Sequence, residues 1–102
     1  MKVYSVKISR KAWGDVEMLS DFLLTVMSVA GARKYLDTMI FEVQSLAVFA
    51  DLYRPSTMAD IRRCHPQARR MVSHNRRWTY VFHIEGDTVI VDRLLKSKMI
   101  IR

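Results

Sequence analysis

Six arginines stand in three adjacent pairs between Ile61 and Arg77: Arg62-Arg63, Arg69-Arg70 and Arg76-Arg77. His65 and His74 lie among them, and the stretch holds no carboxylate. A guanidinium is a planar fork of donors that matches two oxygens of a phosphate or carboxylate at once, so this spacing suits the holding of anions. The charge is also partitioned. Residues 1–53 hold six basic and six acidic side chains, while residues 54–102 hold eleven and four, so the whole net charge of +7 belongs to the second half. A nucleic acid and an acidic protein surface are the two partners such a half fits, and a solvated basic face is the bland alternative.

Other reactive residue types are sparse. Cys64-His65 together with His74 or His83 resembles a zinc donor set only superficially, because no second cysteine stands at ligand spacing. No metal is expected. Cys64 as a nucleophile would need an ordered base, and nothing in the sequence marks one. Neither a glycine-rich phosphate loop nor a Gly-x-Ser-x-Gly elbow is present, so no small-molecule cofactor is expected. Trp13 and Trp78 are residues on which bases can stack, though Trp78 opens a strand whose neighbours are of core type and favour packing.

The elements that must position these groups fit one domain spanning residues 1–102, long enough to bury about two-thirds of its unfolded surface. Half the residues are apolar and only five are Gly or Pro, which places the chain among globular proteins rather than disordered ones. No apolar run approaches the roughly 20 residues of a membrane span, and residues 1–7 lack the continuous apolar stretch of a signal peptide. A single cysteine suits a reducing compartment. A cytoplasmic protein without membrane contact is the expectation.

Residues 2–8 read as a strand with Tyr4, Val6 and Ile8 on one face. Ser9 can cap a helix in which Ala12, Val16, Leu19, Leu23 and Val26 form a buried stripe, with Phe22 and Met27 also read as core. Asp15, Glu17 and Asp21 would favour the helix start. Ala30-Gly31-Ala32 is the expected break. A second helix carries Leu36, Met39 or Ile40, Val43, Leu46 or Ala47, and Ala50, and the short link forces an antiparallel hairpin. Residues 51–60 read as a loop.

Beyond the loop the apolar period changes to two. Met71 to Asn75 can form one strand, and Trp78, Tyr80, Phe82 and Ile84 share a face of the next. Glu85-Gly86-Asp87 is the turn. Thr88 to Leu95 pairs back with Val89, Val91, Arg93 and Leu95 on one face, an arginine in otherwise apolar company. The order gives an α+β layer fold: an N-terminal strand, then an antiparallel helical hairpin packed on one face of a small twisted, mostly antiparallel sheet. The first strand must sit beside a later one. The opposite, concave face would carry His74, Arg77, Thr79, His83 or Arg93, depending on register.

The closing stretches Arg70-Met71-Val72, Trp78 to Val91 and Asp92-Arg93-Leu94-Leu95, with the opening Val6-Lys7-Ile8-Ser9 and Ala12, resemble the RelE/ParE superfamily of bacterial toxins. The resemblance spans essentially the whole chain, although its matching positions are mostly core β residues. It implies the poison half of a type II toxin–antitoxin module, neutralised by a cognate antitoxin whose acidic-leaning segment wraps it. The target would be ribosome-bound messenger RNA, cut by an endoribonuclease, or DNA gyrase, inhibited without that chemistry. A non-catalytic basic nucleic-acid-binding domain is the alternative outside the family.

Cleavage through the ribose 2′-hydroxyl needs charge stabilisation at phosphorus plus groups that move protons. Arg70, Arg77 and Arg93 are the candidates for the charge, and His83 or His74 for the proton, since histidine titrates near neutrality. Arg62, Arg63, Arg69, His74, Arg76, Lys96 and Lys98 are the candidate contacts to nucleic acid or target. The chain departs from the RNA-cutting pattern twice. Thr79 stands where cutting members place an arginine after the first aromatic of the central strand. The tail Lys98 to Arg102 lacks the late tyrosine of several cutters.

Overall fold

The computed structural model describes residues 2–100. Its sheet has four strands, β1 (Ser5–Ile8), β2 (Arg69–Val72), β3 (Trp78–Glu85) and β4 (Thr88–Lys96), in the order β1-β4-β3-β2. β1 runs parallel to β4, with Val6 opposite Val89 and Ile8 opposite Val91, and the other pairings are antiparallel. Between β1 and β2 come helices α1 (Arg10–Val26), α2 (Val29–Gln44) and the short α3 (Leu46–Phe49) and α4 (Ala59–Arg62). This is the α+β layer arrangement expected, with β1 supplying the parallel edge. Ile101 and Arg102, the end of the tail discussed above, lie outside the described residues, as does Met1.

β1 is shorter than the expected 2–8. The backbone N–H of Tyr4 turns to the Ala47 carbonyl at 2.8 Å, and its buried ring sends the hydroxyl to Asp51. Ser9 caps α1 by accepting from the Ala12 N–H at 3.1 Å, and its own hydroxyl donates to the Asp92 carbonyl. The helical break falls at Met27 and Ser28 rather than at Ala30-Gly31-Ala32. Ser28 accepts from the Gly31 N–H, so the glycine lies inside the first turn of α2, where a Cβ would sit 3.2 Å from the Ser28 hydroxyl. A capping hydroxyl thus outweighs the glycine as the boundary signal.

One core joins Ala12, Leu19 and Leu23 of α1, Ala32, Met39 and Val43 of α2, Leu46, and Tyr80, Phe82, Val89, Val91 and Leu94 of the sheet, with Val16 and Leu36 packed against it. The α1 stripe ends earlier than expected: Phe22 and Val26 are more than half exposed. None of the expected acids lies in the first turn of α1, and Asp15 reaches across to β4 instead.

A β-bulge resets β4. Val81 faces Arg93 while Phe82 faces Val91, which leaves Asp92 as the extra residue. The alternation therefore shifts phase. Val89, Val91 and then Leu94 are buried against the helices, and Arg93 and Leu95 turn to the other face. The expectation that Arg93 continues the Val89 and Val91 face fails for this reason. That other face is not open either. Ile61, Ala68 and Val81 form a second buried cluster with Met58, Cys64, Leu95 and Ile100, and the segment around α4 covers it. Thr79 and His83, expected on a concave surface, are buried beneath this layer.

Candidate target-binding surface

The covered face holds most of the titratable chemistry. His83 is 6% exposed, with Nδ1 bonded to Asp92 at 2.7 Å and Nε2 to Glu85 at 3.1 Å. Two carboxylates accept only, so both ring nitrogens must carry hydrogens and the imidazolium form is favoured. Burial opposes that charge, but the bonds to Asp92 and Glu85 outweigh it and raise the pKa above its ordinary value. The His65 ring stacks on it with centroids 3.8 Å apart and planes 1° from parallel, while His65 Nδ1 accepts from the Gln67 N–H. Next to this pair, burial pushes the Cys64 thiol up, which argues against a thiolate nucleophile.

Arg93 is tied by two bonds to Asp15 of α1, Nε at 2.8 Å and Nη2 at 3.0 Å, and the same carboxylate accepts from the Leu94 N–H at 2.9 Å. The hydrogen bond to Asp15 raises the arginine pKa further. The bulge exposes a strand amide, and Asp15 satisfies both it and the guanidinium. Arg70 lies on β2 opposite Val81, which faces Arg93 on its other side. The structure thus brings Arg70, Arg93 and His83 to neighbouring positions on one sheet face. It leaves Arg77, just ahead of β3, six residues from His83, about 20 Å at strand rise.

Four free cations gather at the other end. The β2–β3 connection turns through Ser73, whose carbonyl accepts from the Arg76 N–H at 2.9 Å, and Arg76 adopts φ 63°. Arg77 follows, and its carbonyl accepts from the Ser97 N–H, so Lys96 and Lys98 flank it from the end of β4. Arg76, Arg77, Lys96 and Lys98 are all exposed, and none has a side-chain partner among the described residues. This end is braced from α2. The Tyr35 hydroxyl accepts from Asn75 Nδ2 and Trp78 Nε1, both at 2.9 Å. Glu42 accepts from the His74 N–H at 2.6 Å and from the Tyr80 hydroxyl at 2.9 Å. Burial first, then the bond to Glu42, pushes the Tyr80 pKa well above its ordinary value.

The remaining arginines divide. Arg62 is exposed, Arg63 pairs with Asp60 at 2.8 Å, and Arg69 donates to the Tyr53 carbonyl at 2.7 Å. His74 is exposed and is held through its backbone only. Sequence reasoning missed Asp15, Tyr35, Glu42, His65 and Asp92. Each acts through a pairing 9 to 79 positions away in the chain, or through the ring stack, and no local spacing announces such a pairing.

A family model described as the ParE toxin of the type II toxin–antitoxin system, parDE, matches residues 6–101. The chain belongs to the ParE toxin family. A solved structure described as the chromosomal ParDE TA system from P. aeruginosa superposes with a TM-score of 0.76 and 21% identity, covering 92% of this chain and 96% of that one. At that identity the likeness speaks for the fold. A search of the curated proteins finds no match. Family membership makes the chain the toxin of a ParDE-type pair, with an antitoxin as its counterpart. Among the described residues no helix is long and apolar enough to cross a membrane.

Proposed function

We propose that this ParE-family toxin acts on DNA gyrase as a binding inhibitor and is neutralised by an acidic-leaning antitoxin. The observation that carries the reading is the engagement of His83. Its two nitrogens are bonded to Asp92 and Glu85 and its face lies against His65, so no nitrogen is available to take a proton from a ribose hydroxyl. Arg93 is held on Asp15 rather than presented to a phosphate. For the antitoxin, the hairpin offers exposed apolar side chains, Met18, Phe22 and Val26 on α1 and Val29 and Phe41 on α2, of the kind partner proteins cover.

One observation favours messenger-RNA cleavage: Arg70, Arg93 and His83 occupy neighbouring positions around Val81. Two assays decide between the targets. Purified toxin should block supercoiling of relaxed plasmid by gyrase, while primer extension on messenger RNA after induction should show no new cleavage ends. New ends together with unimpeded gyrase would reverse the assignment.

A further inference from the structure

We infer that the β2–β3 tip, with the adjoining end of β4, grips the phosphate backbone of duplex DNA; the inference rests on the gyrase reading, because gyrase works on duplex DNA. Four cations converge there without a carboxylate partner among the described residues: Arg76, Arg77, Lys96 and Lys98. Two features separate this end from a merely solvated basic face.

The first is backbone strain. Arg76 holds φ 63°, a left-handed conformation that costs a side-chain-bearing residue on the order of 1 kcal/mol and that glycine would adopt freely. An arginine here holds its guanidinium at the turn in spite of that strain, where glycine would present no charge. The second is rigidity. Ser73, Asn75 and Arg77 are cross-linked within the turn, with the Ser73 hydroxyl donating to Asn75 Oδ1 at 2.6 Å and the Arg77 N–H donating to the same oxygen at 3.0 Å. Tyr35 and Glu42 fix the turn from behind. Such bracing preorganises the loop, and a preorganised loop loses less entropy when it binds.

The four cations spread across the end of three adjacent strands, with Lys96 of β4 opposite Trp78 and with Arg76 and Arg77 at the β2–β3 turn, a spread that a run of backbone phosphates can follow.

Binding of a short labelled DNA duplex, followed by fluorescence anisotropy across a salt series, tests the inference. Four phosphate contacts give a slope of log affinity against log salt of about −4, and the double variant R76Q/R77Q should lower its magnitude by about 2. R33Q/K34Q, which removes equal charge from exposed positions on α2, should leave the slope unchanged. R76G should weaken binding while its thermal midpoint stays level or rises, so loss of binding is not loss of fold. Equal effects of the two double variants, or tighter binding to duplex RNA or polyglutamate than to duplex DNA, would overturn the inference. Gyrase supercoiling measured alongside keeps the two readings apart. Tip-dependent DNA binding by a toxin that leaves gyrase unaffected sinks the gyrase reading and sustains the tip, and gyrase inhibition with tip-independent DNA binding does the reverse.

Discussion

Arg93 shows how a single polar residue in an apolar strand can point to a scaffold as readily as to a site. A charge in that position must reach water, a ligand or a partner, and here it reaches Asp15, which also satisfies the amide of Leu94 freed by the bulge. R93Q is therefore expected to lower stability by about 1–2 kcal/mol, the value of a partly exposed, charge-assisted pair, as measured by urea denaturation. An unchanged midpoint combined with lost toxicity would return Arg93 to the functional surface. His83 provides a pH signature. Its folded pKa is raised, so its stabilisation is complete below the ordinary histidine value of about 6.5 and is lost as pH rises through the raised one. The wild-type melting temperature should fall as pH climbs past neutrality, and H83Q should lack that decline. Parallel profiles for the two proteins would show that His83 is not held as the imidazolium.

At the scale of elements, much of the fold was legible because periodicity reports burial. The 3.6-residue stripe of Leu19, Leu23, Met39 and Val43, and the two-residue alternation of Tyr80, Phe82 and Ile84, placed both the hairpin and the sheet. The turn at Gly86 adopts the positive φ of 60° that its residue type suggested. What stayed hidden was non-local. A bulge inserts one residue without altering composition, so the phase shift at Asp92 could not be read from Val89 and Val91. The covering segment also escaped notice, because Met58, Ile61 and Ala68 are interspersed with arginines and look like a loop. Phe82 is fully buried, with Tyr53 edge-on at 5.8 Å. F82A should cost about 3–5 kcal/mol by chemical denaturation. The brace from α2 can be tested through E42A, which removes the acceptor for both the His74 N–H and the Tyr80 hydroxyl and is expected to cost about 2 kcal/mol. A change within error would mean that the tip holds its shape without α2.

For the molecule as a whole, net charge and most of the exposed apolar surface fall in different halves. The neutral first half carries the exposed Met18, Phe22, Val26, Val29 and Phe41 on the hairpin, and the +7 second half carries the unpaired cations of the sheet end. A partner that neutralises the toxin has both kinds of ground to cover, and a basic domain of this size attracts an acidic one from a distance. Association with the antitoxin is expected to slow markedly as salt is added, by stopped-flow fluorescence, and a rate indifferent to ionic strength would exclude steering by the basic half. The target is the larger question, since the buried His83 and the captured Arg93 speak for inhibition by binding rather than for RNA chemistry. The most direct measurement is the linking-number distribution of a reporter plasmid in cells shortly after the toxin is induced without its antitoxin. Gyrase inhibition should shift the plasmid toward relaxed topoisomers before protein synthesis declines. A plasmid that stays fully supercoiled while synthesis collapses would contradict it.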